Sequence, residues 1–204
     1  MRNRFAVAVA AGLCALIGSG AMHIARADDF IAQPANSSAV DAIKLDTFPK
    51  GLWFVTAYGG AAVQPAGARE QLSYGTLGGG YCPWDDFSFN VELTGVRNAQ
   101  DVQDATGGGG DVLIRWHFYD AKTWTAFSDV GAGILETDHR EPPDGTDFNF
   151  TFHTGVGLTA RINDRTDLLA GVRYFHLSNA HQEGPARNPS MNAAEVYVGV
   201  LFKL

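Results

Sequence analysis

From Gly51 to Leu204, apolar and polar residues alternate one by one through much of the chain. This period of two is typical of β-strands, in which successive side chains point to opposite faces. The segment 148–162 shows it clearly, with one apolar face and one polar face. The apolar face carries Phe148, Phe150, Phe152, Val156, Leu158, Ala160 and Ile162. The polar face carries Asn149, Thr151, His153, Thr159 and Arg161.

The chain from Gly51 onward divides into eight strand-like segments separated by polar or turn-like stretches. The predicted strands are 51–64, 70–82, 87–97, 111–120, 124–137, 148–162, 167–179 and 192–204. Their connections are alternately short (83–86, 121–123 and 163–166) and longer (65–69, 98–110, 138–147 and 180–191). Tight periplasmic turns and longer outer loops are typical of outer-membrane barrels. An even number of strands puts both chain ends in the periplasm, so the seventh strand runs outward.

The predicted fold class is therefore all-β, an eight-stranded antiparallel transmembrane β-barrel. After the N-terminus, no apolar run is long enough for a transmembrane helix. A membrane-embedded chain must then close its strands, because lipid offers no partners to open strand edges. Polar residues opposite the apolar faces are expected to line the lumen, namely Glu92, Arg115, Arg161, Arg173 and Glu195. Side chains fill a barrel of this size, which argues against a general porin.

The N-terminal region has the pattern of a secretory signal peptide over residues 1–27. A basic start at Arg2 and Arg4 precedes an apolar run, and Ala25-Arg26-Ala27 supplies small residues for cleavage after Ala27. Residues 28–50 are polar and are predicted to form a periplasmic segment with a short helix near 39–45. Residues 51–204 then form the barrel, and we expect the mature protein in the cell outer membrane.

Charge and cysteine content argue against a nucleic-acid partner and against a disulfide or a cysteine-based metal site. The chain has 15 basic and 22 acidic residues, and removal of Arg2, Arg4 and Arg26 with the signal leaves 12 and 22, a net charge of −10. This acidic balance argues against a nucleic-acid partner. Cys82 is the one cysteine that remains after cleavage, so neither an intrachain disulfide nor a cysteine-based metal site is expected.

Candidate chemistry lies where the seventh segment ends, in Arg173-Tyr174-Phe175-His176-Leu177-Ser178-Asn179-Ala180. His176 and Ser178 are two residues apart, so on a strand they share a face. An imidazole beside a hydroxyl is the minimal pair for an activated serine nucleophile. If Arg173 points into the lumen, the pair faces lipid, where polar groups are unfavourable unless they are paired or near the headgroups. The alternative without chemistry is a polar strand end at the membrane interface.

Together with Asn188-Pro189-Ser190-Met191-Asn192 and the terminal strand, this motif resembles the lipid A 3-O-deacylase family, also called PagL, and related acyloxyacyl hydrolase barrels. The likeness in sequence is confined to about residues 168–204. It implies an outer-membrane barrel that hydrolyses the ester-linked 3-hydroxyacyl chain of lipid A in lipopolysaccharide, without a metal or cofactor. It also implies that Ser178 is the nucleophile, His176 its general base and Asn179 an oxyanion donor.

The identity of the third catalytic residue, which would orient His176 beside Ser178, stays open. The resemblance implies an outward-facing glutamate early in the last strand. Alignment of the preceding turn puts Asn192 at that site, whereas counting from the C-terminus points near Ala194. Glu195 should lie in the lumen, where it could pair with Arg173, and Glu183 in the loop is a further candidate. An asparagine can orient an imidazole through its carbonyl oxygen, but it stabilises imidazolium less than a carboxylate does.

Two other hypotheses remain. The chain could be a non-catalytic small barrel, of the adhesin or stress type, that acts through its extracellular loops. It could also be a family member that has lost activity, because the aligned glutamate is missing. The sequence leaves open a homodimer and the identity of the acyl chain.

Other conspicuous residues predict no second site. His117, His139, His153 and His181 show no metal-ligand spacing. The run Gly107–Gly110 lacks the strand–helix setting and the lysine of a phosphate loop, and is predicted to be a flexible outer loop. The tryptophans are expected to contribute to aromatic girdles at the membrane interface, namely Trp53, Trp84, Trp116 and Trp124.

Overall fold

The computed structural model describes residues 47–64, 71–99, 103–184 and 187–204. The predicted signal peptide at 1–27, the expected helix near 39–45 and most of the expected periplasmic segment at 28–50 lie outside the described residues. Within those described ranges, no helix has the length and apolar character needed to cross a membrane.

Eight antiparallel strands form a closed barrel in which every strand pairs with its neighbours in sequence and β1 pairs with β8. The strands are β1 (Trp53–Val63), β2 (Gln71–Trp84), β3 (Phe87–Ala99), β4 (Ala105–Asp120), β5 (Trp124–Glu141), β6 (Thr146–Arg161), β7 (Thr166–Ser178) and β8 (Met191–Lys203). The predicted fold class is confirmed. We call the end with the short connections 85–86, 121–123 and 162–165 the turn end, and the opposite end the loop end.

Two of the predicted longer connections are wrong in part. Residues 138–141 and 146–147 of the connection predicted at 138–147 belong to β5 and β6, which leaves four residues between these strands. The run Gly107–Gly110 belongs to β4, which begins at Ala105 and pairs with both β3 and β5. A Cβ atom on Gly109 would lie 2.2 Å from the carbonyl oxygen of Ile134, and one on Gly107 would lie 2.1 Å from that of Glu136. At positions 107 and 109, glycine is therefore required by the close approach of the β5 backbone, and not by an irregular chain.

The lumen is filled by charged and polar side chains that neutralise one another. Arg173 Nη2 lies 2.8 Å and Arg115 Nη2 3.0 Å from Asp129 Oδ2. The Tyr58 hydroxyl donates to Glu92 Oε2 at 2.5 Å and accepts from Arg173 Nη1 at 3.1 Å. Buried charges are tolerated when they are paired in this way. The middle of the lumen is thus occupied by side chains that pair with one another.

Most lumen predictions hold, with two corrections. Glu92, Arg115, Arg173 and Glu195 are all buried inside the barrel. Arg161 is exposed instead, because it is the last residue of β6 at the turn end. Glu195 stands opposite Arg173 in the strand pairing. Its carboxylate, however, lies next to His153, whereas Arg173 turns toward Asp129.

The outer wall is apolar, as expected for strands in lipid. Exposed valine, leucine, isoleucine and phenylalanine side chains alternate with buried residues on every strand. The four tryptophans are exposed at 40–59% and lie toward the turn end of β1, β2, β4 and β5. This arrangement is typical of an interfacial aromatic girdle.

Candidate active site

Strand pairing brings the two parts of the sequence motif together. His176 of β7 lies directly opposite Asn192 of β8, and Ser178 lies opposite Phe150 of β6. Phe175 and Leu177 are buried inside the barrel, so the alternate residues Tyr174, His176 and Ser178 face outward. The predicted outward direction of His176 and Ser178 follows from this parity.

Three side chains form a hydrogen-bonded row on the outer wall at the loop end. His176 Nε2 lies 3.2 Å from Ser178 Oγ, and His176 Nδ1 lies 2.8 Å from Asn192 Oδ1. An amide oxygen only accepts hydrogen bonds, so this contact requires a hydrogen on Nδ1. In the neutral ring, Nε2 then carries the lone pair and accepts the hydrogen of the Ser178 hydroxyl. This is the arrangement that a serine nucleophile and its base require.

A fourth side chain, which the sequence analysis did not identify, belongs to the row. The Tyr174 hydroxyl donates to the same oxygen, Asn192 Oδ1, that accepts from His176. The nitrogen of that amide lies 3.3 Å from Ser190 Oγ. The sequence signal for Tyr174 was its parity, since it precedes His176 by two residues on the same face.

Asn179 is built into the loop that follows β7. It is 2% exposed, and its Nδ2 donates to the Arg187 carbonyl oxygen at 2.6 Å. Its Oδ1 accepts from the backbone nitrogen of His181 at 3.0 Å, and its own backbone nitrogen donates to Asn188 Oδ1 at 3.0 Å. Asn179 therefore holds the chain where it turns away from Ser178. Its role toward an oxyanion stays a prediction.

Of the three candidates for the third member, Asn192 is the one that hydrogen-bonds His176. Glu195 is buried in the lumen, with Oε2 3.4 Å from His153 Nδ1. Glu183 Oε2 lies 2.6 Å from Arg187 Nη1 within the loop. Both carboxylates thus have cationic or imidazole partners of their own, away from the row.

The surroundings of the row are apolar and open to the membrane. Phe150 and Phe152 of β6 flank Ser178 and His176, and they are 37% and 40% exposed. On the other side, Ala194 of β8 is an exposed small residue opposite Tyr174. A site of this kind is suited to an ester whose acyl chain lies in the bilayer and whose polar part lies at the headgroups.

Four other histidines lie among the described residues, and each makes contacts away from the row. His153 bridges Asp111 and Glu195 inside the barrel, and the His117 ring stacks on Phe48 at a centroid distance of 3.7 Å. His139 and His181 take part in hydrogen bonds at the loop end. In the part of the chain that is described, no group of three or more His, Cys, Asp or Glu residues could hold a metal ion.

Comparison with known proteins gives one family and a set of structural relatives. The family described as "Lipid A 3-O-deacylase (PagL)" matches residues 66–200. A search of the curated proteins finds no match.

Several solved outer-membrane proteins have a similar fold. Neisserial surface protein A is 17% identical, covers 75% of this chain and 96% of its own, and has a TM-score of 0.56. OprG from Pseudomonas aeruginosa is 9% identical, with coverages of 77% and 97% and a TM-score of 0.53. The N-terminal barrel of OprF from the same organism is 14% identical, with coverages of 76% and 98% and a TM-score of 0.52. At these identities the likeness shows the fold alone.

Proposed function

The chain belongs to the lipid A 3-O-deacylase (PagL) family, and from that membership we propose that it is an outer-membrane serine hydrolase that releases the ester-linked 3-hydroxyacyl chain of lipid A. The observation that carries this proposal is the row Ser178–His176–Asn192 on the lipid-facing wall, with contacts of 3.2 and 2.8 Å. A barrel that acted through its loops alone would not need a hydroxyl–imidazole pair in this position.

The first half of the proposed reaction is acyl transfer to the enzyme. Ser178 Oγ attacks the ester carbonyl carbon while its proton passes to His176 Nε2. The tetrahedral intermediate carries a negative oxygen, and the imidazolium donates its Nδ1 hydrogen to Asn192 Oδ1. The bond between the carbonyl carbon and the 3-oxygen of the sugar then breaks. His176 returns the proton to that departing oxygen, which leaves as the 3-hydroxyl group. An acyl ester on Ser178 remains.

The second half restores the enzyme. His176 Nε2 takes a proton from water, and the oxygen of that water attacks the acyl-serine carbonyl. As this intermediate collapses, Ser178 Oγ regains a proton from His176, and the 3-hydroxy fatty acid is released into the membrane. The sequence of steps matches that of serine esterases in general, and it requires no metal or cofactor.

In this proposal an amide replaces the carboxylate of the family pattern. Asn192 Oδ1 selects the productive histidine tautomer as a carboxylate would, because both accept from Nδ1. A neutral acceptor stabilises the imidazolium less. Hydrogen bonds to charged groups exceed neutral ones by about 1 kcal/mol, which corresponds to roughly a fivefold to tenfold slower reaction.

Asn179 is the proposed oxyanion donor. An amide nitrogen carries two hydrogens, and one of those on Asn179 Nδ2 is engaged with the Arg187 carbonyl. The proposal assigns the second hydrogen to the developing oxyanion. A single donor of this kind lowers the barrier by about 3–4 kcal/mol in serine hydrolases.

The mature protein is proposed to lie in the outer membrane. Cleavage after Ala27 would leave a periplasmic segment at 28–50 and the barrel at 51–204 in the outer membrane. Because long loops face outward in such barrels, the row at the loop end would lie in the outer leaflet. A homodimer is not part of the proposal, since Ser178, His176 and Asn192 all belong to one barrel.

The test is mass spectrometry of lipid A from cells that express either the wild type or Ser178→Ala. The proposal expects loss of one 3-hydroxyacyl group with the wild type and intact lipid A with the variant. Gel mobility with and without heating shows whether both barrels are folded. Intact lipid A with a folded wild-type barrel would contradict the proposal and favour an inactive family member, a different lipid substrate or a barrel that acts through its loops.

A further inference from the structure

Two hydrogen-bond donors converge on one oxygen of the candidate site. His176 Nδ1 and the Tyr174 hydroxyl both contact Asn192 Oδ1. An amide has an accepting end and a donating end of nearly the same shape. The rotation of Asn192 about its last side-chain bond therefore decides which end His176 meets.

The opposite rotation of the Asn192 amide would leave His176 unable to act as a base toward Ser178. If Asn192 Nδ2 faced His176 Nδ1, that nitrogen would have to accept, and the neutral ring would carry its hydrogen on Nε2. Nε2 would then present a hydrogen to Ser178 Oγ and could not take the hydroxyl proton. A carboxylate has no such problem, because both of its oxygens accept. The amide thus introduces a requirement that a glutamate or aspartate would not have.

Tyr174 is the side chain that distinguishes the two rotations. A phenol hydroxyl is a good donor, and in the observed rotation it donates to Oδ1; in the other rotation it would lose that acceptor. Ser190 Oγ, which contacts Nδ2 at 3.3 Å, distinguishes them less because an alcohol donates and accepts equally well.

Strand geometry explains why Tyr174 can reach Asn192. Tyr174 pairs directly with Ala194, and Asn192 is its diagonal neighbour on β8. Aromatic side chains span such diagonal positions. Because the methyl group of Ala194 is small, the ring can lean across it toward the loop end.

We propose that Tyr174 is a positioning residue that holds the Asn192 amide with its oxygen toward His176 and thereby keeps the imidazole in the tautomer that can accept the Ser178 proton. The inference rests on the proposed function for its consequence in catalysis. The geometry of the amide and the tautomer of His176 do not depend on which ester is cleaved.

The kinetic test is a double-mutant cycle on purified, folded barrel with lipid A in mixed micelles. Tyr174→Phe removes only the hydroxyl, and we expect it to lower kcat roughly twofold to tenfold with KM unchanged. In the Asn192→Asp background, where either oxygen accepts, the same change should alter kcat by less than about twofold. Equal losses in both backgrounds, or a loss carried by KM, would overturn the proposal.

A second measurement keeps the proposal testable if lipid A is not cleaved. Nitrogen NMR of histidine-labelled protein in detergent micelles reports which ring nitrogen of His176 carries the hydrogen, and His176→Gln assigns the signal. The wild type should show the Nδ1–H tautomer, and Tyr174→Phe should show a population of Nε2–H. The control Tyr119→Phe removes an exposed hydroxyl at the turn end and should leave the signal unchanged. An identical tautomer in the wild type and Tyr174→Phe would overturn the inference, whereas failure of lipid A cleavage alone would count only against the proposed function.

Discussion

His176 and Asn192 are direct partners in the β7–β8 pairing, and their side chains meet outside the barrel with Nδ1 2.8 Å from Oδ1. The two residues are 16 apart in sequence. A rigid sheet therefore sets their distance, and the loop between the strands does not. Sites built on strands keep catalytic geometry more closely than sites built on loops.

Ser178 should react with a serine-directed fluorophosphonate, because the lone pair on His176 Nε2 accepts its proton. We expect wild-type barrel to be labelled, Ser178→Ala to be unlabelled, and His176→Ala to be labelled at least about a hundredfold more slowly. Protein mass spectrometry after a timed exposure measures this. Ser73→Ala, an exposed serine on β2, is the matched control and should label like the wild type. Rapid labelling of His176→Ala would show that the imidazole does not activate Ser178.

Asn192→Asp should increase lipid A deacylation by roughly fivefold to tenfold, since a carboxylate stabilises the imidazolium more than an amide does. Asn192→Leu should decrease it, because His176 Nδ1 then has no acceptor at that position. Initial rates of fatty-acid release from lipid A micelles measure both changes. If Asn192→Leu were as active as the wild type, the third member would have to be sought elsewhere.

Alternation in the clearer strands, the alternating connection lengths and the lack of a long apolar run together predicted the barrel, because lipid on one side and a filled lumen on the other favour a period of two. Strand ends were less accurate. Gly107 and Gly109 were assigned to a loop because single-sequence patterns give glycine a turn preference. Their actual constraint is the nearby carbonyl of β5, which depends on register across strands.

The candidate site, like the fold, was predictable where it depends on one strand and not where it depends on the register between strands. The shared face of His176 and Ser178 follows from their spacing on one strand. The contact of Asn192 with His176 depends on the β7–β8 register, which the sequence only suggested through resemblance. Tyr174 was missed because an outward tyrosine in a membrane strand is ordinarily lipid-facing, and its diagonal hydrogen bond also depends on the β7–β8 register.

Asn179→Ala should affect both the loop and the reaction. It removes the hydrogen bonds that Asn179 makes with the backbone of Arg187 and His181. If Asn179 also donates to the oxyanion, kcat should fall about 10²-fold to 10³-fold, in parallel with faster proteolysis of the loop between β7 and β8. Gln182→Ala, an exposed change in the same loop, is the control. Faster proteolysis with an unchanged kcat would limit Asn179 to a structural role.

Asp129→Ala should strongly destabilise the barrel without touching the outer wall. Asp129 is the common partner of Arg115 and Arg173 in the lumen, and all three side chains are at most 1% exposed. Loss of one partner of a buried ion pair reduces the free energy of unfolding by about 3–5 kcal/mol. Urea unfolding of the refolded barrel in lipid vesicles measures the difference. The control Asp164→Asn, in an exposed short turn, should leave the unfolding midpoint unchanged. If Asp129→Ala also unfolded at the wild-type midpoint, the charges in the lumen would contribute little to the stability of the barrel.

Two glycines of the same barrel should differ in how well they tolerate an added methyl group. In Gly109→Ala the new Cβ would lie 2.2 Å from the Ile134 carbonyl oxygen, which β5 holds in the strand pairing. In Gly95→Ala, by contrast, no atom lies within 4 Å of the new Cβ. Backbone oxygen cannot move aside as a flexible side chain can, so Gly109→Ala should force β4 and β5 apart and lower the yield of folded barrel. Gly95→Ala should fold as the wild type does, and a strand generally tolerates alanine better than glycine. The folded fraction after dilution from urea into micelles, read by heat-dependent gel mobility, distinguishes the two. If both variants folded equally well, close approach of β5 would not be the reason for glycine at position 109.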